Sequence, residues 1–554
     1  MKLHQLLPAR FRKKTSPTLL FTTLVLSGLS VASRIVGLIR DRVLTSTFET
    51  GGILDSYFSA FRVPDMIYTI LILGTLSSAF IPVFSSIVHK RGKKAEEEAN
   101  TLASDLLLIV SLVMGAISLL MFFFAPQLTR IVAISYEGEK FANTVTLTRI
   151  MAFSPMIFAV SSIFTSILNV HKKFFIAASA PILYNLGIIV GTTVLYPIFG
   201  VQGLGYGVIV GALLHASIQI PAVIRTGFRP QVPNLELKAL RNMWNLYWPR
   251  MLVIDLAMVS LFFGTIIASS TSGAVSIMNL AFNVNTLPIG VLAISFATAM
   301  FPYLSEAYAK GKMRKFNTYI EHTITRILFV LIPTMFMMLV LRAQIVRVIY
   351  GAQNFTWEDT YLTLTTLTFF AISIPFQGLL PFFVRVFYAK HDAKTPMRVG
   401  VLGMMMNILL TLITTYLFTF FGYNIVFGIA FAFSLSVIIV GVIYAWMILG
   451  EMKSKAIERM TEYTAKVLLA GLVMFFFAHG IKTFYGQYLV DTKAGFPIGQ
   501  AQTLTALIVQ ILVVGLLAGG VYYYLSLKLG LISVLKDPSK YLPEEVVDEQ
   551  VDSM

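Results

Sequence analysis

Long apolar runs separated by short polar breaks recur along the whole chain. Reading them predicts fourteen helical spans, at 18–48, 54–88, 99–125, 143–169, 175–198, 202–224, 243–269, 274–306, 318–341, 358–388, 399–421, 424–449, 463–481 and 501–526. About 20 apolar residues suffice for a helix to cross a ~30 Å hydrocarbon core. The longer runs must therefore tilt, kink or extend past the lipid. Continuous runs exclude a β-barrel, whose strands would be short alternating segments. The apolar run after the basic start MKLHQLLPARFRKKTSPT is too long for the core of a cleaved signal peptide, and no clear cleavage site follows it. The pattern predicts an all-α polytopic membrane protein with about fourteen transmembrane helices.

The polar breaks orient it. With the N-terminus inside, the internal breaks hold 29 of the 43 Lys and Arg, whereas the external ones hold six: Arg130, Lys140, Arg342, Arg347, Lys482 and Lys493. This alternation is the positive-inside pattern, and it predicts both termini in the cytoplasm. It also accounts for the net charge of +16 in a chain that is 56% hydrophobic and only 13% charged. Nucleic-acid binding is therefore not expected. Cysteine is absent, which excludes disulfides, thiol catalysis and cysteine-based metal sites.

A weak repeat runs through the chain at an offset of about 220 residues. SSAFIPVFSSIVHKRGKK ends the second span and ATAMFPYLSEAYAKGKMRK ends the eighth, with Pro82 and Pro302 in register. ILNVHKKFF after span 4 parallels VFYAKHDAKTP after span 10. The expected organisation is two pseudo-repeated six-helix lobes plus two C-terminal helices. Its parts are a basic arm (1–17), an N-lobe (18–228), a linker (229–242), a C-lobe (243–450), spans 13 and 14 (451–530) and a tail (531–554). Parallel repeats of this kind carry their substrate site between halves.

Eight basic residues remain inside spans or at their ends: Arg34, Arg40, Arg42, Arg62, Arg149, Arg250, Arg326 and Arg385. All are arginine, whose permanently charged planar fork matches phosphate and carboxylate. A centred arginine costs at least ~2.5 kcal/mol on insertion scales, so Arg34 should face a wet cavity or an acid. Arg34 and Asp41 lie seven apart on one helix face, as do Asp55 and Arg62. Pro64 should kink the second span, and Asp65 is a further possible partner for Arg62. WPRMLVID places Arg250 and Asp255 in span 7. These charges read either as structural ion pairs or as a cationic cavity for an anionic headgroup.

Other features carry less. His215 and Gln219 form a polar i,i+4 pair suited to an interhelical contact. Asn407 and Thr411, one turn apart, could supply two oxygens to a sodium ion. No Walker loop, HExxH, GxSxG or metal cluster is present, so no catalytic residues are expected and the chain reads as a transporter, not an enzyme.

The runs SRIVGLIRD, FETGGILDSYFSAFRVPD and GTLSSAFIPVFS resemble the first two helices of the lipid II flippase family (MurJ/MviN). That family lies within the multidrug/oligosaccharidyl-lipid/polysaccharide exporter superfamily. RVIYGAQNFTWEDT and VRVFYAKHDAKTP are similar to its later loop and its RxFYAxxDxKTP segment. The resemblance implies a V-shaped two-lobe fold with a central cationic cavity. It also implies export of an undecaprenyl-pyrophosphate-linked peptidoglycan precursor by alternating access. Arg34, Arg40, Asp41 and Asp55 match the family pattern, and Arg62 falls on a basic position. Tyr68, Leu73, Asn283 and Thr286 stand where the family often has arginine or glutamate.

The expected substrate-binding set is therefore Ser33, Arg34, Arg40, Asp41, Asp55, Arg62, Arg250 and Asp255. The expected function is a lipid II flippase of the bacterial cytoplasmic membrane, serving cell-wall synthesis. The alternatives are a flippase for another polyprenyl-pyrophosphate glycan and a cation-coupled drug exporter. No cofactor is expected, and energy would come from the membrane potential or a monovalent cation. Expected partners are the lipid-linked anionic substrate, the membrane and cell-wall synthesis proteins.

Overall fold

Every regular element among the described residues of the computed structural model is helical. The described residues are 17–72, 76–90, 92–232, 234, 256–484 and 504–532. In chain order the first twelve helices are α1 (Pro17–Thr47), α2 (Ile53–Ala60), α3 (Arg62–Leu71), α4 (Leu76–Val88), α5 (Lys93–Phe123), α6 (Ala125–Val132), α7 (Gly138–Met151), α8 (Ser154–Val170), α9 (Phe174–Val190), α10 (Tyr196–Phe199), α11 (Val201–Ser217) and α12 (Ile220–Ile224). They continue as α13 (Leu256–Ala268), α14 (Ala274–Pro288), α15 (Ile294–Ala309), α16 (Met313–Tyr350), α17 (Trp357–Ala371), α18 (Ile374–Ala389), α19 (Lys394–Phe420), α20 (Ile425–Leu449), α21 (Ser454–Phe484) and α22 (Leu504–Lys528). One-turn π segments at Gly191–Leu195 and Ile289–Ala293 link α9 to α10 and α14 to α15.

Ten helices or continuous helix pairs are long and apolar enough to cross a membrane. The pair α17 and α18, bent by 46°, makes an eleventh. Helices also occupy the three remaining expected spans, but they do not meet that measure. The first carries Arg34, Arg40, Asp41 and Arg42 in α1. The second is cut into α2, α3 and α4, and the seventh is described only over α13, 13 residues long. Among the described residues, length and apolarity thus support eleven of the fourteen expected spans.

The chain forms two compact units. The first comprises the chain up to Val253 together with Thr265–Val275; the second comprises Ile254–Gly264 and the chain from Ser276 on. In the first unit, α4, α5 and α8 enclose a core of Phe80, Phe84, Leu102, Leu106, Met114, Ile163 and Ile167. Beside it α9 and α11 meet at their glycines. A Cβ on Gly191 would come within 2.6 Å of the Gly207 Cα, and one on Gly187 would run into the Gly211 backbone. Small residues at this spacing let helix backbones approach within lipid.

In the second unit, α16, α21 and α22 pack through Val340, Leu341, Ala470, Met474, Val514 and Ala518. Tyr522 donates to the Phe329 carbonyl at 2.8 Å, and Arg459 holds Glu321 through two bonds of 3.0 and 3.1 Å. The two helices beyond the repeat are thereby fastened to α16.

The repeat is visible in backbone detail. Pro82 and Pro302 both lie inside helices. The break after Leu71 and the π segment at Ile289–Ala293 fall at matching depth in the two halves. Lys172 and His391 are the only non-glycine residues with positive φ among the described residues, at 58° and 59°. Each sits in the left-handed turn that ends a helix, where a six-to-one bond closes the last turn: Lys173 N to Leu168 O at 2.8 Å, and Asp392 N to Phe387 O at 3.0 Å. Asp392 then accepts from the N–H groups of Lys394 and Thr395, at 2.9 and 3.0 Å, capping α19. The FTWED stretch is likewise a cap. Thr356 and Asp359 exchange bonds across the first turn of α17.

Candidate functional site

The described charged residues predicted for substrate binding lie in the first unit. α1 is apolar through its first half and carries its charges toward the Thr47 end. There Arg40 donates from Nε and Nη2 to Asp41 Oδ1, at 2.9 and 2.6 Å. Its Nη1 reaches Asn185 Oδ1 on α9, at 2.9 Å. Asn185 is oriented by its own bond from Nδ2 to the Pro181 carbonyl, at 3.1 Å. Gly37, one turn before Asp41, leaves space for the Asn185 side chain; a Cβ there would lie 3.8 Å from it. Asp41 is buried, whereas 22% of the Arg40 side chain is exposed. The guanidinium is thus held in place with part of its surface open.

Asp55, fully buried at the start of α2, accepts from Lys140 Nζ at 2.8 Å and from the Gly273 N–H at 2.9 Å. Lys140 also lies over the Tyr136 ring at 4.1 Å, and Tyr136 Oη meets Ser59 Oγ at 3.1 Å. Arg62, at the start of α3, donates from Nε to Thr265 Oγ1 on α13, at 2.7 Å. Asp65 is exposed one turn further on, within electrostatic reach of both Arg62 and Arg40. Ser33 and Arg34 are half-buried on α1.

The spacing of seven put Arg34 with Asp41, and Asp55 with Arg62, on shared faces, as structural ion pairs or as parts of a cationic cavity. Ion pairs seen in the structure include Arg40 with its neighbour Asp41 and Asp55 with Lys140 of α7. Seven residues rise about 10.5 Å along a helix, beyond a direct contact unless both side chains stretch. Arg250, Asp255 and Leu73 lie outside the described residues. Tyr68, where an arginine was expected, uses its hydroxyl on Ser162 Oγ at 3.2 Å and packs its ring on Phe158. Asn283 is half-buried, and its carbonyl accepts from Thr286 Oγ1 at 3.0 Å.

Three contributors escaped the sequence reading. Asn185 had a signal, a lone amide in the apolar run PILYNLGII. Lys140 was counted only as a loop charge, and nothing local marks Thr265.

The polar residues of the second unit make a different structure. Asn285 donates to Gln377 at 2.9 Å, Gln377 to Ser373 at 2.8 Å, and Ser373 meets Ser434 at 2.9 Å. This neutral chain ties α14, α18 and α20 together. Asn407 is fully buried on α19, with Nδ2 on Ser436 Oγ at 3.3 Å and an Oδ1 that has no hydrogen-bond partner. Thr411 turns its hydroxyl to the Asn407 carbonyl at 2.7 Å. An unsatisfied buried oxygen beside two hydroxyls fits a hard monovalent cation. The described residues hold no group of three His, Asp or Glu suited to a metal. His215 and Gln219, back in the first unit, both bond Ser161 Oγ at 2.7 Å, which makes them an interhelical contact.

The model of the family described as "Lipid II flippase MurJ" matches residues 44–494. The probable lipid II flippase MurJ of Borreliella burgdorferi is 27% identical over 469 residues, covering 84% of this chain and 89% of that one. A solved structure titled as the lipid II flippase MurJ in an inward closed conformation superposes with a TM-score of 0.72 at 26% identity, over 91% of this chain and 98% of that one. A multidrug resistance MATE family transporter in an inward-facing conformation shares the fold, with a TM-score of 0.60 at 13% identity, covering 79% and 99% of the two chains. With a family match over residues 44–494, most of the chain, the protein belongs to the MurJ family of lipid II flippases.

Proposed function

We infer that this chain carries lipid II from the inner to the outer leaflet of the bacterial inner membrane, by alternating access. The observation that carries this reading is the arginine cluster of α1 and α3, Arg40 and Arg62, held by neutral partners and one acid inside a membrane protein of this family. A pyrophosphate offers several acceptor oxygens, and arginine meets them with paired charge-assisted bonds. Arg34, Arg40 and Arg62 are assigned to the pyrophosphate, with Ser33 beside them.

Asp41 keeps Arg40 extended and neutralised when no substrate is present. Phosphate then competes with a carboxylate for the same fork, so binding exchanges one ion pair for another rather than desolvating a bare charge. Asp55 acts at the other end of the site as a clasp. Through Gly273 it fastens segment 265–275 to α2, and Lys140 neutralises it there. Releasing that segment means breaking the bond from the Gly273 N–H to a buried carboxylate, which makes the clasp a gate. In span 7, Arg250 and Asp255 are assigned to the same substrate.

The basic internal loops support cytoplasmic termini. Energy would enter through the membrane potential or through a monovalent cation held by Asn407, Ser436 and Thr411, with no other cofactor. Cell-wall synthesis proteins are the expected protein partners.

The test is complementation. Cells depleted of their own lipid II flippase should regain growth and expose lipid II on the outer leaflet when this chain is expressed. Growth without outward lipid II, or no growth from a well-expressed chain, would sink the reading.

A further inference from the structure

One charge of the second unit has no role so far. Arg385 lies on α18, four residues before the end of the helix, about 6 Å along its axis. Its Nη1 donates to the Pro381 carbonyl at 3.1 Å and its Nη2 to Thr298 Oγ1 on α15 at 3.2 Å. The Thr298 hydroxyl proton is committed to the Ile294 carbonyl at 2.8 Å, so its oxygen is free to accept. The guanidinium is thus fixed in direction by two neutral acceptors, which use two of its five N–H donors. Neither acceptor neutralises its charge.

The surface around it is not one that meets acyl chains. The exposed positions of α15 on this side are Ser295, Thr298, Ala299, Pro302 and Glu306, flanked by Ile294 and Tyr303. No large apolar side chain of α18 is exposed. The next helix, α19, differs: Leu402, Met405, Leu409 and Leu412 are exposed along it, as a lipid-facing helix requires. A charged side chain at membrane depth belongs on a wet wall or beside a counter-charge. The small and polar residues exposed beside Arg385 fit a wet wall, and its open N–H groups point to an anion.

We propose that Arg385 is a second phosphate-binding position, on the α15/α18 wall of the second unit, for the pyrophosphate of the transported lipid. This rests on the flippase reading above. In the orientation proposed there, the end of α18 near Arg385 is cytoplasmic, whereas Arg40 lies near the outer end of α1. Arg385 is therefore placed to meet a pyrophosphate near the cytoplasmic face of the second unit.

Purified full-length protein should be tested for equilibrium binding of lipid II, undecaprenyl pyrophosphate, undecaprenol and phosphatidylglycerol, using the wild type, Arg385→Ala, Arg385→Gln and Arg385→Lys. Gln keeps a donor for the two acceptors but removes the charge, so it serves if Ala does not fold. Ala and Gln should weaken both pyrophosphate lipids by about tenfold, the loss of one charge-assisted bond, and Lys by less. Undecaprenol and phosphatidylglycerol should bind as before. Wild-type affinity for the pyrophosphate lipids in Gln, or a loss confined to phosphatidylglycerol, overturns the assignment while leaving the flippase reading intact. Arg385-dependent binding of undecaprenyl pyrophosphate without any binding of lipid II overturns the flippase reading and leaves the assignment standing. Binding of neither by the wild type overturns both.

Discussion

The two units share a repeat yet solve the problem of polarity inside a membrane in opposite ways. The first concentrates charge: Arg40 with Asp41, Lys140 with Asp55, and Arg62 near Asp65. The second uses neutral groups, running Asn285, Gln377, Ser373 and Ser434 as a continuous chain and adding Asn407 with Ser436. Charge pairs in low dielectric are costly to assemble but bind phosphate strongly when exchanged. Neutral chains are cheaper, fix helices to one another, and discriminate hydroxyl and amide groups. The contrast underlies the proposal that the first unit binds the anion and the second positions it, with Arg385 as the exception.

The comparison breaks first at Arg40. Arg40→Ala leaves Asp41 buried without its partner, a defect of about 3–5 kcal/mol, and should also abolish transport. The double change Arg40→Ala/Asp41→Ala should recover most of the thermal stability and none of the transport. Recovery of transport in the double variant would mean the pair is structural only. Asp55→Asn comes next. It keeps an acceptor for Gly273 but loses the Lys140 ion pair, and should lower stability by about 1–3 kcal/mol, read by thermal unfolding in detergent. If the clasp is a gate, this variant should also shift cysteine accessibility at position 272 toward the open form.

On the other side, Gln377→Ala should cost about 1–2 kcal/mol by taking away the Asn285 amide's acceptor, while transport stays within about threefold. A transport defect as large as that of Arg40→Ala would erase the distinction between the units.

The smallest effects probe the repeat itself. Lys172→Gly and His391→Gly relieve a left-handed backbone, and each should raise stability by about 0.5 kcal/mol or leave it unchanged. Equal responses in the two are expected from their matching turns. Asp392 lies in the adjacent turn, outside the spans. Partial burial pushes its carboxyl up, but the bonds from Thr395 and Lys394 outweigh this and hold it below the ordinary carboxylate range. The cap's stability is therefore present above that range and is lost as the pH falls through the lowered value. Asp392→Asn should flatten this acid-side decline, because it lowers stability at neutral pH toward the level the wild type reaches in acid.

Much of the fold was legible because apolar runs are a direct physical requirement of the membrane. The limits of α19, α20 and α22 follow the runs at 399–421, 424–449 and 501–526 closely. The repeat was legible at Pro82 and Pro302, and the matching turns at Lys172 and His391 give its backbone form. The candidate site was legible in its residue types but not in its partners. Arg62 finds Thr265 203 positions away, and Asp55 finds Gly273 218 positions away. Such contacts depend on tertiary packing, which no local spacing encodes. The division of span 2 into three helices escaped for a related reason. Hydropathy is continuous across the breaks at Phe61 and after Leu71.

The central claim is that the first unit recognises pyrophosphate through Arg40 and Arg62. The most direct measurement is binding of undecaprenyl pyrophosphate by purified wild-type protein and by the Arg62→Gln and Arg40→Ala/Asp41→Ala variants, each checked for folding by thermal unfolding. The account predicts a loss of at least about tenfold in each variant, with undecaprenol binding unchanged. Wild-type affinity for the pyrophosphate in both folded variants would contradict it.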